Sequence, residues 1–423
     1  MGSEENSLFD HNSSAFANGW RSQLAAIRAK HGLTRSDAHG GFVVLGRRGD
    51  VQRALRDQKT FVSTRWFDPE ASPGGRTEGG VTIPPNPARM GMMEMEPPES
   101  VFYRRLLNPW FTRGAIQSYR PRIREIVSWC IDGVIGMGKC DVVDDLANPI
   151  PALVSLDFLG LPLDRWERYA AFVHAAGYRR PGSGKGIRWV LDDLRDTVET
   201  GTFHKGGVID ALKAELPDDM VIELSYMLLN GGMDTTTSMI AGMTAYLQSA
   251  PAGRQRLSED PSRLPAAVQE LVRWCAPSTG VARTVVQEVE IAGETVHPGE
   301  RVLLALGSAN LDEEAFSNAE QVQLDRSPNP HLSFGTGAHK CIGADLSTAE
   351  LEVYLEEVLR RLPDLDVDLD QSPRYPVMPL VNGFITMPAT FTPGRVESVI
   401  RRRVPELRNP RLQPVARSLM AEE

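Results

Sequence analysis

His331-Leu332-Ser333-Phe334-Gly335-Thr336-Gly337-Ala338-His339-Lys340-Cys341-Ile342-Gly343 is the stretch on which the fold turns. It runs straight into residues 344–362, where apolar side chains recur at helical spacing until Pro363. Glycines on both sides of Cys341 allow a tight loop whose backbone N–H groups point at the sulfur. The positive end of the following helix favours thiolate over thiol. A thiolate held in that way suits a metal. Structural zinc would need three more ligands, and only His331 and His339 are at hand.

A single thiolate is how haem iron is held where O–O cleavage is the task. The pattern F-G-x-G-x-H-x-C-x-G resembles the cysteine loop of the cytochrome P450 family of haem-thiolate monooxygenases. The resemblance covers roughly residues 15 to 393. It implies haem b, with Cys341 as axial ligand of the iron and Phe334, Gly335, His339 and Gly343 around the cofactor.

Outward from the loop, Glu270 and Arg273 stand at i and i+3 on a helix, where they can pair or reach a third group. E-x-x-R is common on solvated helices and carries nothing alone. The resemblance implies a structural lock with Arg326, needed for haem retention. Further back, Gly231-Gly232-Met233-Asp234-Thr235-Thr236 interrupts the longest helical pattern, Met220 to Leu247. A Thr235 hydroxyl can bond back to the Gly231 carbonyl and bend the helix, and Gly231 lets the backbone approach a flat ligand. The acid-then-alcohol order resembles the family's proton-delivery pair, which makes Asp234 and Thr235 the catalytic candidates. Arg104, Arg283 and His339 match family contacts to the haem propionates. Many bacterial members carry a histidine where this chain has Ser100, which can still donate one hydrogen bond.

Asn230 occupies a position that faces substrate in the family and is usually apolar. Two readings stand: a bond to a neighbouring helix or water, or a partner for a carbonyl, amide or hydroxyl on the substrate. Met90, Met92, Met93, Thr279 and Phe384 complete the pocket candidates, although a methionine patch is more often packing than chemistry. Trp129-Cys130 and Trp274-Cys275 read as core pairs. Cys130 and Cys140 can be bridged only if their Cα atoms lie within about 7 Å.

The chain has 423 residues, 41% hydrophobic and 24% charged, with a net charge of −9. That balance excludes global disorder and argues against nucleic acid or an anionic membrane as partner. Four cysteines are too few for a disulfide framework. The polar, acidic start is no secretory signal, and no apolar run reaches the roughly 18 residues of a membrane span. The expectation is a cytoplasmic protein with reduced thiols.

The coarse pattern is mainly α with small β-sheets (an α+β chain), and the P450 resemblance places the haem between the long central helix and the cysteine-loop helix. Residues 1–14 read as an arm, 15–393 as one haem-thiolate domain, and 394–423 as an extension with seven arginines and three prolines after Gly394. Residues 63–98 read as a long loop over a binding site, 179–187 as a surface turn, and 374–393 as a hairpin around Val381-Asn382-Gly383-Phe384.

The function implied is oxidation of an apolar, oxygen- or nitrogen-bearing natural product in secondary metabolism. O2 and two electrons are consumed, the electrons coming from a ferredoxin and its reductase, because no flavin or iron–sulfur domain is fused. Arg104, Arg105, Arg113 and Lys340 form the expected docking patch. One rival is oxidative C–C or C–N coupling on the same scaffold. A second is a haem sensor without turnover, against which an intact Asp234-Thr235 pair argues.

Overall fold

The computed structural model describes residues 9–30, 32–67, 77–86, 88–378 and 381–397. Its helices are α1 (Ser14–Ala29), α2 (Arg48–Arg56), α3 (Glu99–Leu107), α4 (Arg113–Val134), α5 (Pro149–Leu159), α6 (Trp166–Gly177), α7 (Ser183–Thr200), α8 (Val208–Glu215), α9 (Asp218–Ser249), α10 (Pro251–Glu259), α11 (Leu264–Cys275), α12 (Leu306–Ala309) and α13 (Ala344–Arg361). The strands are short: β1 (Thr34–Ser36), β2 (Phe42–Leu45), β3 (Phe61–Val62), β4 (Arg65–Phe67), β5 (Thr77–Gly79), β6 (Lys139–Asp141), β7 (Val281–Val285), β8 (Val289–Ile291), β9 (Glu294–Val296), β10 (Arg301–Leu304), β11 (Asp366–Val367) and β12 (Pro388–Thr390).

The largest sheet has the order β1-β2-β10-β7-β3, and β2 and β10 run parallel with Val43 opposite Val302. All four residues of β2 are buried, as a strand covered on both faces requires. β7 places Arg283 opposite Val302 of β10, so that a cation enters a buried strand. A second sheet, β11-β12-β6, closes the far side.

The main core is formed by α4, α5, α9, α11 and α13. α9 runs unbroken for 32 residues through its glycines and threonines. Burial compensates their poor propensity: Met227, Leu229, Met233, Met239 and Ile240 are all below 4% exposed. Thr112 starts α4 by accepting the Ala115 N–H at 3.3 Å, and α4 continues through Pro121. α5 ends at Gly160, which takes φ +85° where a side chain would be strained.

Three local readings change. The 179–187 turn is shorter, because α7 already begins at Ser183. Among its described residues the 63–98 stretch includes the antiparallel pair β4–β5 and a 3-10 turn at Gly91–Glu94. The 374–393 hairpin is confined to 373–385, where Tyr375 N–H donates to Gly383 O and Ile385 N–H to Pro373 O. β12 leaves it to join β6 and β11. Within the N-terminal arm, Phe9 packs on Phe16 and Phe42, with ring centroids 5.5 and 6.2 Å away. In the C-terminal extension Glu397 pairs with Arg360 at 2.6 Å; residues 398–423 and 1–8 lie outside the described residues.

Candidate active site

The stem of the cysteine loop is fixed from two sides. Asn310 accepts the Leu332 N–H at 2.7 Å and donates to Ser333 Oγ at 2.7 Å, and Ser333 Oγ donates to Val272 O at 2.8 Å. His331 Nε2 lies 3.0 Å from Gln269 Oε1, and the Ser333 N–H reaches His331 Nδ1 at 3.3 Å. Gly335 and Gly337 turn the chain at φ +63° and +76°. A Cβ on Gly337 would come 2.6 Å from Leu55 O of α2, so only glycine lets the loop lie against that helix. The loop closes where Cys341 N–H donates to Phe334 O at 2.9 Å.

Cys341 is accessible to solvent although protein atoms crowd round it. That crowding decides its acidity. Burial raises the thiol's pKa, while the Gly343 N–H, Arg104 and Lys340 pull it down without cancelling the rise. The Gly343 N–H at the start of the helix thus pulls toward thiolate and burial opposes it; a metal cation against the sulfur would tip the balance to thiolate.

Beneath the loop lies a buried ion network. Glu270 and Arg273 are both fully buried. Glu270 accepts from Arg273 Nε and Nη2 at 2.8 Å each, from Arg326 Nε at 3.0 Å, from Gln323 N–H at 2.8 Å and from Asn329 Nδ2 at 3.2 Å. Burial works to raise the carboxyl, but the bonds from Arg273, Gln323 and Arg326 outweigh it and hold it below the usual range. Arg273 Nη1 also donates to the carbonyls of Asn310 and Ala319. Two cations share one carboxylate, and every one of these groups is hydrogen-bonded, the condition for a buried charge to be tolerable.

On the opposite side, Thr235 Oγ1 donates to Gly231 O at 2.8 Å. Within the otherwise buried middle of α9, Gly231 is exposed and Asn230 and Thr235 are half-buried. A Cβ on Gly231 would meet nothing within 4 Å, and the same holds at Gly343, beside the cysteine. Thr236 Oγ1 lies 3.3 Å from Ser347 Oγ, so this part of α9 is tied to the helix that follows Cys341. Asp234 is buried and its carboxylate is held from α6 and the 373–385 hairpin: Tyr375 Oη donates to Oδ1 at 2.9 Å and His174 Nδ1 lies 3.3 Å away.

The cationic candidates divide. Arg283 is 4% exposed; burial lowers its pKa to about 10, partly offset by Glu96. Its Nη1 donates to Ala282 O at 2.7 Å. His339 Nε2 stands 3.2 Å from Ser63 Oγ and 3.5 Å from Glu96 Oε2. Burial would raise Glu96, but bonds from His339 and Ser63 hold its carboxyl below the usual range. Arg104 is turned onto the carbonyl of Lys340, at 3.0 Å from Nη1, next to the cysteine. Ser100 is buried in the first turn of α3.

Among the pocket candidates, Met90 and Asn230 meet: Asn230 Nδ2 lies 3.5 Å from Met90 Sδ. Met92 is buried and Met93 half-buried in the main core, while Gly91 packs on Met227. Phe384 is buried under the Arg374 guanidinium at 4.4 Å. Thr279 is buried and its carbonyl accepts from the Gly307 N–H. Ser238 Oγ donates to Asn382 O, which brings the 381–384 segment against α9. Cys130, Cys140 and Cys275 are free thiols, each pushed up by burial, Cys275 to about 11.

Sequence reasoning missed Glu96, Ser63, His174, Tyr375 and Asn310. The His174 signal was present: one ionisable ring in the apolar run Ala170–Ala176. Glu96 lies in the 63–98 stretch, which reads only as a loop.

The residues fit a haem. An accessible thiol in a closed loop, a helix face with room at a glycine, and buried cationic groups suit an axial ligand, a flat ring and its carboxylates. The family model described as Cytochrome P450 matches residues 209–390. Mycinamicin IV hydroxylase/epoxidase of Micromonospora griseorubida is 31% identical over 84% of this chain and 97% of its own length. A steroid C26-monooxygenase of Mycobacterium tuberculosis is 31% identical over 81% of this chain and 98% of its own. A solved structure of Mycobacterium marinum cytochrome P450 CYP268A2 with pseudoionone superimposes with a TM-score of 0.81 at 26% identity, over 92% of this chain and 100% of that one. Among the described residues no helix is long and apolar enough to cross a membrane.

Proposed function

The chain belongs to the cytochrome P450 family of monooxygenases, and on that premise we propose that it oxidises an apolar natural product bearing an oxygen or nitrogen function. Haem b, when bound, supplies the iron centre at which O2 is activated with two external electrons. Cys341 is the residue that ligates it through Sγ. His339, Arg283 and Arg104 neutralise the propionates, with Glu96 holding His339 in place. Glu270, Arg273 and Arg326 keep the loop stem rigid beneath.

Thr235 holds a hydroxyl over the open stripe of α9 and Asp234, one residue earlier, stores the proton. The bond from Thr235 Oγ1 to Gly231 O takes up that carbonyl and orients the hydroxyl. Substrate binds beside Asn230, where Met90 meets α9. Asn230 reads the substrate's polar group, because its partner among the described residues is a thioether, a weak acceptor. The relatives' names, with mycinamicin IV and steroid in them, support a natural-product class. Electrons enter from a ferredoxin docked on Arg104, Arg105, Arg113 and Lys340.

The accessible Cys341 in its closed loop, just before a helix tied to α9 through Ser347 and Thr236, carries this reading. The test is the reduced carbon-monoxide spectrum: Cys341→Ser should lose the thiolate signature that the unaltered protein gives. Retention of that spectrum, or purified protein with zinc and no haem, overturns the assignment. Product mass then separates oxygen insertion from oxidative coupling.

A further inference from the structure

Asp234 is gripped by two groups that the acid–alcohol pair does not include. His174 comes from α6 and Tyr375 from the 373–385 hairpin; their exposures are 4% and 1%, and that of Asp234 is 3%. Tyr375 Oη donates to Asp234 Oδ1 at 2.9 Å, and His174 Nδ1 lies 2.8 Å from the same Oη. A phenol has one proton. With that proton on Asp234, Nδ1 is the donor, facing Oη at 2.8 Å and, at a longer 3.3 Å, Asp234 Oδ1. The bonds therefore run one way, from Nδ1–H to Oη–H to Oδ1.

Among the described residues neither end of the row is bonded to protein. His174 Nε2 and Asp234 Oδ2 are buried without a protein partner. His174 is a basic group at the side of Asp234, with Nδ1 3.3 Å from Oδ1. Gly177 is shaped to this cluster, because a Cβ there would stand 1.8 Å from Asp234 Oδ2. Burial, then the Asp234 charge, holds the Tyr375 phenol well above its ordinary pKa, so Tyr375 relays without ionising. The ionisable groups around the row are Tyr178, whose ring centroid is 5.6 Å from His174 and 4.9 Å from Tyr375, with Arg180 and Asp144 next to Tyr178.

We propose that His174 and Tyr375 are positioning residues for Asp234, which hold its carboxylate in the core and pass it the proton it delivers. The inference rests on the reading of Asp234 and Thr235 as the proton-delivery pair. One proton from a hydronium ion binds Nε2 and leaves water, the Nδ1 proton moves to Oη, and the phenolic proton moves to Oδ1. One N–H and one carboxyl O–H form, one hydronium O–H and one N–H break, Tyr375 exchanges one proton for another, His174 is left with its proton on Nε2, and no electron moves.

The test uses the haem-loaded protein with His174→Phe, Tyr375→Phe and Asp234→Asn. Phe keeps the ring contacts of both positions. Substrate affinity and the reduced carbon-monoxide spectrum should stay within twofold of the unaltered protein. Product formation should fall roughly tenfold, below the 10²–10⁴ typical of a general acid removed outright. Peroxide release and the heavy-water isotope effect should rise, and His174→Phe should add nothing to Asp234→Asn. Nitrogen NMR of histidine-labelled protein gives a readout independent of turnover: Nδ1 should carry the proton, and Tyr375→Phe should release that preference. An unprotonated Nδ1 overturns the proposal, as does normal coupling in both Phe variants while Asp234→Asn uncouples. Normal coupling in Asp234→Asn as well refutes the acid–alcohol reading beneath it.

Discussion

Replacing Gly231 by alanine should stabilise the protein, although the residue lies at the centre of the proposed site. Inside a helix glycine costs about 1 kcal/mol relative to alanine. The added methyl at Gly231 meets nothing within 4 Å, so nothing opposes that gain. Gly232 sits next to it in the same helix with the same propensity term, but its Cβ would come 3.0 Å from Ser155 Oγ. There the two effects should cancel to about zero. At Gly177, the last residue of α6, a Cβ would stand 1.8 Å from Asp234 Oδ2. Asp234 would have to leave Tyr375, and a buried carboxylate without its donors costs on the order of 3 kcal/mol. Urea unfolding followed by circular dichroism should thus rank Gly231→Ala above the unaltered protein, Gly232→Ala beside it and Gly177→Ala well below. Gly231→Leu fills the opening instead, and should lower haem content or substrate affinity without lowering the urea midpoint of the haem-free chain. A Gly231→Ala variant less stable than Gly232→Ala would refute the claim that this glycine is kept for ligand space.

Arg326→Leu leaves Glu270 and Arg273 buried with fewer partners and should cost about 3 kcal/mol together with haem; an unchanged urea midpoint and full haem content would count against the lock. His331 is pushed down to about 4, chiefly by burial and then by Arg273. The unfolded chain takes up that proton near 6.5 and the folded one only near 4, so stability should fall as pH drops between those values, by about 3 kcal/mol in all. His331→Gln should flatten that slope, and parallel curves for the two proteins would exclude it. Thr235→Ala should keep substrate affinity while electrons are lost to peroxide; tight coupling in that variant would rule out its role in delivering the proton. Asn230→Leu should weaken ligands with a carbonyl, amide or hydroxyl by roughly 1 to 3 kcal/mol and spare plain hydrocarbons, and equal effects on both would make Asn230 structural.

What could be read from the sequence was local. The cysteine loop, Glu270-x-x-Arg273 and the Gly231–Thr235 turn each place their chemistry within a few residues, where spacing and helical geometry suffice. The groups that hold them come from far along the chain: Asp234 meets His174 across 60 residues and Tyr375 across 141. No periodicity encodes such a pairing. The same reason explains Asn310, whose side chain holds the stem of the cysteine loop from the turn after α12. The helix end that favours a Cys341 thiolate is visible in the sequence, whereas the crowding that opposes it is not. Ser183 and its glycines read as a turn, yet α7 forms there because the later apolar positions Val190, Leu194 and Val198 are buried.

The convergence on Glu270 also bears on how the protein assembles. Its carboxylate gathers donors from α11 and from residues 323, 326 and 329, more than fifty positions later. None of those bonds can form until α11 is docked, and the cysteine-loop stem leans on the same helix through His331 and Ser333. The stretch from Ala319 to Ser333 should therefore open and close as one unit in hydrogen exchange, its amides sharing a single protection free energy. Because Cys341 follows that unit by eight residues, its loop has a fixed stem only when this long-range closure is complete, and haem should bind tightly only after it.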